Sequence, residues 1–486
     1  MKKCTALLLL LAMLLSPAMT ACSDGSAAET GNTAVENTET VPVETEETRA
    51  VHALPELDFG GANFHASYLD WQEYAEYFFA QESTGDAMND AIFERTTRVE
   101  ETLNVDMTEV SYVETDIGGQ HNAIKAAVRA GDDAYQMALM HCFDALASEG
   151  YLYAINNLPH IDLDAEWWKR ETMDQLRLGK NYYYCASDYT IPVPFAVYFN
   201  KDMIADYALD NPYTLVREGK WTMDKMFDMG ASVTQDVDGD GTYSEGDIVG
   251  LALHNGALYV NFMHGAGQFC VSRGSDGKIQ LDMNNERMIS IVEKLHGYVT
   301  QTGTAVITET GTNEEQFGMM GGNLLFRLNS IAMGHHYRDV EENIGIVPYP
   351  KYDEAQEDYI SLNWGGLMGV PAAIQNPEMV GSVLELLAWE SAETVIPAYY
   401  DVMLDGKLAR DEDSVEMLDL LFDSFAYDPG MNFFGNAAGL SNLLWTMSSL
   451  VAGQKSTDFI SFYTKNEKAA IASIEKFYEA LEKIES

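Results

Sequence analysis

The chain has 486 residues, 76 of them acidic against 29 basic, for a formal net charge of -47. That sign excludes a nucleic-acid-binding surface, which needs a basic footprint, whereas a hydrophobic fraction of 47% supports a large folded core. Five cysteines, at no zinc-ligand spacing, exclude a disulfide framework.

The N-terminus opens on a basic Met1-Lys2-Lys3, an apolar run over 6–15, then Ser16, Pro17 and small residues to Ala21. This is the layout of a secretory signal. The run is too short to cross a bilayer core of about 30 Å. Met19-Thr20-Ala21-Cys22 resembles a bacterial lipobox, which makes Cys22 the lipid-bearing first residue after cleavage of 1–21. Residues 22–52 then read as an acidic tether. Ser, Thr, Glu and Asn without aromatic residues bury too little surface to offset chain entropy. No later run is long and apolar enough to span a membrane.

The folded part starts near Leu57. A strand is expected over 62–68 and a helix over 87–103. Asp86 is its cap, and Met88, Ile92, Val99 and Leu103 recur at helical spacing. A strand over 105–110, a helix over 120–129 closed by Gly131, and a buried strand over 135–141 complete an alternation that signals a largely parallel sheet. It returns with an extended run over 191–199, a helix from Thr222, strands over 248–253 and 344–347, and a helix over 379–389. The last is entered through the cap Asn376 and the first-turn Pro377. The C-terminus, 467–484, reads as an amphipathic helix with Ile471, Ile474, Tyr478 and Leu481 on one face.

Five pieces in order carry a resemblance: Gly85-Asp86-Ala87-Met88-Asn89-Asp90-Ala91, Phe199-Asn200-Lys201, Gly219-Lys220-Trp221-Thr222, Ile344-Gly345-Ile346-Val347-Pro348-Tyr349-Pro350-Lys351 and Trp364-Gly365-Gly366-Leu367. Together with the lipobox and tether, they make the chain similar to the family 1 extracellular solute-binding proteins of ABC importers, the maltose-binding type among them. The resemblance implies a two-lobed α/β fold of the periplasmic-binding-protein kind, with a hinge and an interlobe cleft that closes on ligand. It places lobe one at 53–194 with 365–402 and lobe two at 195–364 with 403–486. The chain crosses between them near 192–199 and 360–366. It further implies a binding protein, not an enzyme, on the outer face of the cytoplasmic membrane. The protein is held there by its lipid alone, and its partners are ABC importer permeases and a small solute, a carbohydrate by family habit. A secreted glycan-degrading enzyme and a surface adhesion protein are the competing readings.

Ligands of such folds meet the loops at the carboxyl ends of strands. The candidates there are Asp70 and Trp71, then His141, Phe143 and Asp144, then Tyr189, Arg327 and Trp364. Aromatic faces stack on sugar rings, and carboxylates or arginine bind hydroxyls. Ordinary core and rim packing is the competing reading for each. Trp167-Trp168 is read as core, and His335-His336 as surface residues.

The sharpest local motif is a twelve-residue Asp-rich loop. Asp236, Asp238, Asp240, the Thr242 carbonyl, Ser244 (directly or through water) and Asp247 stand where a calcium loop supplies oxygens, with Gly241 at the sharp turn. A structural Ca2+ is expected, against a metal-free Asx turn. No catalytic cofactor is expected: zinc-protease, nucleophile-elbow and phosphate-loop motifs are all missing.

Overall fold

Two βαβ passages build the first sheet of the computed structural model. β1 (Ala62–Asp70) leads through α1 (Ala87–Leu103) to its parallel neighbour β2 (Val105–Val113), in register from Ala62 opposite Val105 to Asp70 opposite Val113. α2 (Ile117–Ala130) then carries the chain back across β1 to β3 (Met137–Met140), also parallel to β1. The order reverses between β1 and β3, so this is the switch point of the sheet. α1 starts where expected: the Asp86 carboxylate accepts the Asn89 N–H at 3.0 Å, and Asn104 ends the helix in the left-handed region. Met88, Ile92, Val99 and Leu103 are buried.

The model describes residues 51–70, 79–113, 117–140, 146–188, 190, 192–241, 243, 246–254, 258–300, 306–308, 322–331, 343–363, 366–405, 411–453 and 455–485. The chain divides into two units, 1–51 and 52–486. All of the first but Val51 lies outside the described residues, Cys22 and the expected signal included; the second unit holds both sheets.

β4 (Leu152–Tyr153) and α3 (Arg170–Leu176) come next, then β5 (Phe195–Asn200), which opens the second sheet. Short helices α4 (Lys201–Asp206) and α5 (Pro212–Arg217) precede α6 (Met223–Val233), which Thr222 caps through Lys225 N–H. Beyond them lie β6 (Val249–His254), α7 (Leu258–Gly265), the hairpin β7 (Val271–Arg273) and β8 (Ile279–Leu281), α8 (Glu286–Thr300), β9 (Val306–Thr308), β10 (Leu324–Ser330) and β11 (Ile344–Pro348). The second sheet runs β11-β5-β10-β6-β9, with β5 antiparallel to both neighbours and β6 parallel to β10 and β9. β12 (Ser361–Leu362) leads back to β13 (Leu367–Pro371), which completes the first sheet in the order β2-β1-β3-β13-β4. α9 (Pro377–Glu393), capped by Asn376, and α10 (Val395–Asp405) pack on α1. α11 (Glu412–Ser424) packs on β11. β14 (Phe425–Ala426), α12 (Pro429–Phe434), α13 (Met447–Ala452) and α14 (Phe459–Glu485) end the chain.

Two of the five sequence motifs, at 219–222 and 344–351, meet in space. The Trp221 indole donates to the Pro348 carbonyl at 2.9 Å, Lys351 N–H to the Trp221 carbonyl at 3.1 Å, and Met223 N–H to the Lys351 carbonyl at 2.8 Å. Trp221 is fully buried against Phe326, so the two segments form one knot of the second lobe's core. Trp167 and Trp168 are core residues of the first lobe, as expected. The C-terminal helix differs from its sequence reading. It begins at Phe459, and its buried stripe runs Tyr463, Ala470, Ile474, Phe477, Tyr478 and Leu481, while Ile471 is 39% exposed. Cys185 and Cys270 are buried thiols with no disulfide between them; Cys142 lies outside the described residues, as do His335 and His336.

Candidate functional site

The hinge can be built from backbone pairing. Pro194, just before β5, bridges Asn363, just after β12. The Asn363 side-chain oxygen accepts the Val193 N–H at 2.9 Å, and its backbone N–H donates to the Ala426 carbonyl at 2.9 Å. β12 pairs in parallel with β14. Three chain passages therefore lie side by side, at 193–195, 361–363 and 425–426. The first two were expected from the sequence. The third was not, because a two-residue strand leaves no periodicity to read.

This hinge joins the two sheets at one particular edge of each. In the first sheet, Leu367 opposite Met140 marks the carboxyl end of β3. In the second, Phe195 opposite Ser330 marks the carboxyl end of β10. Asn363 and Leu367 are four residues apart in the chain, at most about 14 Å extended. The carboxyl edges of both sheets thus flank the same hinge, where α/β sheets place their ligands.

Of the sequence-predicted ligand residues, Asp70 and Arg327 are among those described. Asp70 is the last residue of β1, and its backbone stands opposite Val113. Trp71, His141, Phe143, Asp144, Tyr189 and Trp364 lie outside the described residues, though Trp71 and His141 directly follow the last residues of β1 and β3. Arg327 is placed differently. It sits within β10 between Tyr198 and Ala252, is 3% exposed, and stands three residues before Ser330, about 10 Å from the strand's end. Its charge is felt inside the second lobe by Tyr349. Burial pushes that phenol well above its ordinary range, while the Asn261 amide, 3.3 Å away, and Arg327 oppose the shift. Asn363, which ties the first hinge passage to the second through its side chain, is a residue the sequence reading passed over. It is fully buried, and the only clue was its place beside Trp364-Gly365-Gly366.

The Asp-rich loop closes on itself. Gln235 and Ile248 exchange N–H bonds to each other's carbonyls at its base, at 2.8 and 3.0 Å. The two Asp236 oxygens accept from Gly239 and Gly241 N–H at 2.7 and 2.9 Å, Asp238 accepts from Asp240 N–H at 3.0 Å, and Asp247 accepts from Val237 N–H at 2.8 Å. Gly241 has φ +83°, the left-handed turn expected of it. Oxygens of Asp236, Asp238 and Asp240 lie within 4.8 Å of one another. This donor set suits a hard cation that takes oxygen ligands, and it places like charges in mutual repulsion without one. Asp247 is 2% exposed; Thr242 and Ser244 lie outside the described residues.

No family model matches the chain, and no curated protein does. Solved structures do. UgpB from Mycobacterium tuberculosis, solved with glycerophosphocholine, superposes with a TM-score of 0.59 at 15% identity, covering 86% of this chain and 99% of that one. A cyclo/maltodextrin-binding protein complexed with maltotetraose gives 0.57 at 14% identity, covering 88% and 98%. The ABC substrate-binding protein Lmo0181 from Listeria monocytogenes, in complex with cycloalternan, gives 0.54 at 11% identity, covering 87% and 99%. The chain has the two-lobed α/β fold of the ABC solute-binding proteins.

Proposed function

We propose that this protein captures a small solute, a carbohydrate in the first place, between its lobes and delivers it to an ABC importer. It is not an enzyme in this reading. The observation that carries the proposal is the meeting of both carboxyl edges at one three-passage hinge. Such a joint lets ligand contacts from two lobes favour a closed state. Ligands solved with proteins of similar fold, maltotetraose and cycloalternan among them, support the sugar class. The aromatic and acidic candidates Asp70, Trp71, His141, Phe143, Asp144, Tyr189 and Trp364 belong to the binding surface in this proposal. The test is a thermal-shift panel of oligosaccharides, polyols and glycerophosphodiesters, with mass spectrometry of every hit. A raised melting temperature with the sugar recovered intact supports capture. Turnover of a sugar would point instead to a glycan-degrading enzyme, and no response to any small molecule to an adhesion role.

Two further proposals concern the anchor and the Asp-rich loop. Cys22 carries a lipid that holds the protein on the outer face of the cytoplasmic membrane. Cys22→Ala should then move it from the membrane fraction to the medium; unchanged membrane association contradicts the anchor. The Asp236–Asp247 loop holds a structural calcium ion in the second lobe.

A further inference from the structure

The lobes touch a second time beyond the hinge. Cys185 and Met368 exchange N–H bonds to each other's carbonyls at 2.9 and 3.1 Å. The other side of β13 is taken by β3, so the stretch 174–185 is fastened to the first sheet on the β4 side. α14 reaches this stretch from the second lobe. It packs on α8 and β8, and α8 stacks Tyr298 on Phe227 of α6, which packs on β6. Its last residue, Glu485, accepts from the Asn181 amide at 2.6 Å and from the Tyr183 hydroxyl at 3.3 Å. The Arg273 guanidinium of β7 donates to the Gln175 carbonyl at 3.1 Å, and the Gln175 side-chain oxygen accepts the Tyr427 N–H at 3.0 Å. Closest to the hinge passages in the chain, Tyr184 stacks on Phe433 of α12 with ring centroids 5.3 Å apart, both rings buried.

The sheet order gives this second contact its direction. The strands run β2-β1-β3-β13-β4, and the hinge enters at β13. The switch point between β1 and β3, where such sheets place a ligand, lies on one side of β13. The contact with α14 and Arg273 lies on the other. A rotation at β13 that brings the carboxyl ends of β1 and β3 toward the second lobe carries the β4 side away from it. The polar contacts of Asn181 and Gln175 are then the ones that separate.

We propose that these contacts form a clasp behind the hinge, which holds the solute-free chain open and parts when the lobes close. The proposal rests on the reading of the fold as one that captures by closure. Ligand contacts must then outweigh the clasp, so the clasp sets how much of the chain is closed before a ligand arrives. Its rim suits that task. Gln175, Arg273 and Glu485 are half-buried, so water replaces their partners as the lobes part, and each bond holds with a small net free energy.

The test uses the whole chain, stripped of solute and checked by native mass spectrometry. Spin labels on ketone-bearing residues at the exposed positions of Lys180 and Glu479 span the clasp and spare the native thiols. Pulsed electron resonance reads the distance between them, and small-angle scattering reads the radius of gyration. The native chain should give one short distance. Gln175→Ala with Asn181→Ala and Glu485→Ala should raise the fraction with a longer distance about tenfold and lower the radius of gyration. Asn181→Asp alone sets a like charge against Glu485 and should part the clasp as well; adding Glu485→Lys to it should restore the native distance. That rescue is a readout that mere loss of packing would not give, and it serves if the triple variant fails to fold. An unchanged distance in Asn181→Asp, a failed rescue, or a longer distance without a smaller radius would each overturn the clasp. Neither readout needs a ligand, so their failure leaves capture of a solute standing, and a solute panel without a hit leaves the clasp standing.

Discussion

At the scale of the residue, one buried carboxylate ties together distant stretches of the first lobe. Glu385 on α9 is 1% exposed and receives the indole N–H of Trp167 at 2.9 Å, that of Trp168 at 2.8 Å and the backbone N–H of Asp162 at 3.2 Å. The Trp-Trp pair was read from sequence as core. Its anchor, more than two hundred residues away, left no local signal. Burial raises the Glu385 carboxyl above its usual range, and the three donors only partly oppose this. A carboxyl raised in the folded state takes up its proton before the unfolded chain does as pH falls. This group alone therefore favours folding increasingly as pH drops from its folded value to the ordinary carboxylate value. Glu385→Ala strands two buried indole donors and should cost about 3 kcal/mol. Glu385→Gln keeps one acceptor and should cost about half of that. Urea unfolding reads both; a loss below about 1 kcal/mol for the alanine variant would contradict this role.

At the scale of the element, legibility followed length and local chemistry. α1 was readable to the residue because Asp86 caps it, Asn104 ends it, and four apolar positions repeat between them. The C-terminal helix was readable in kind but not in face. Ile471 fits a helical stripe with Ile474 and Tyr478, yet the buried side is set by Phe433 and Phe434, which press on Phe477. Partners of that sort are not visible in the helix's own sequence. β14 was invisible, since two residues gain their structure from β12 alone. The Asp-rich loop is the opposite case, a motif whose turn the sequence predicts to the glycine. Its calcium claim is tested by melting. Binding to the folded state alone adds about 2.7 kcal/mol at a hundredfold excess over Kd. Chelator should lower the melting temperature by a few degrees, millimolar calcium should restore it, and magnesium should restore it poorly. Asp240→Ala should melt low and respond to neither. A melting curve indifferent to chelator, with no calcium by elemental analysis, leaves a metal-free turn.

At the scale of the whole molecule, the sequence carried the architecture further than it carried the site. The order of strands and helices, with five short motifs, pointed to two α/β lobes, and the two five-stranded sheets joined at 193–195 and 361–363 have that architecture. The candidate site was legible only as chain positions at strand ends, because ligand specificity resides in loops whose residues meet through the fold and not through spacing. Arg327 illustrates the limit. The sequence reading set it among the cleft candidates, but it is buried in the second lobe's interior in space. Capture by closure has a consequence for the shape of the entire chain. Small-angle X-ray scattering of the folded protein, with and without the strongest ligand of the thermal-shift panel, measures it directly. Hinge closure predicts a smaller radius of gyration at saturating ligand, reversed on dialysis. A radius unchanged at saturation, with binding confirmed by calorimetry in the same sample, would contradict it.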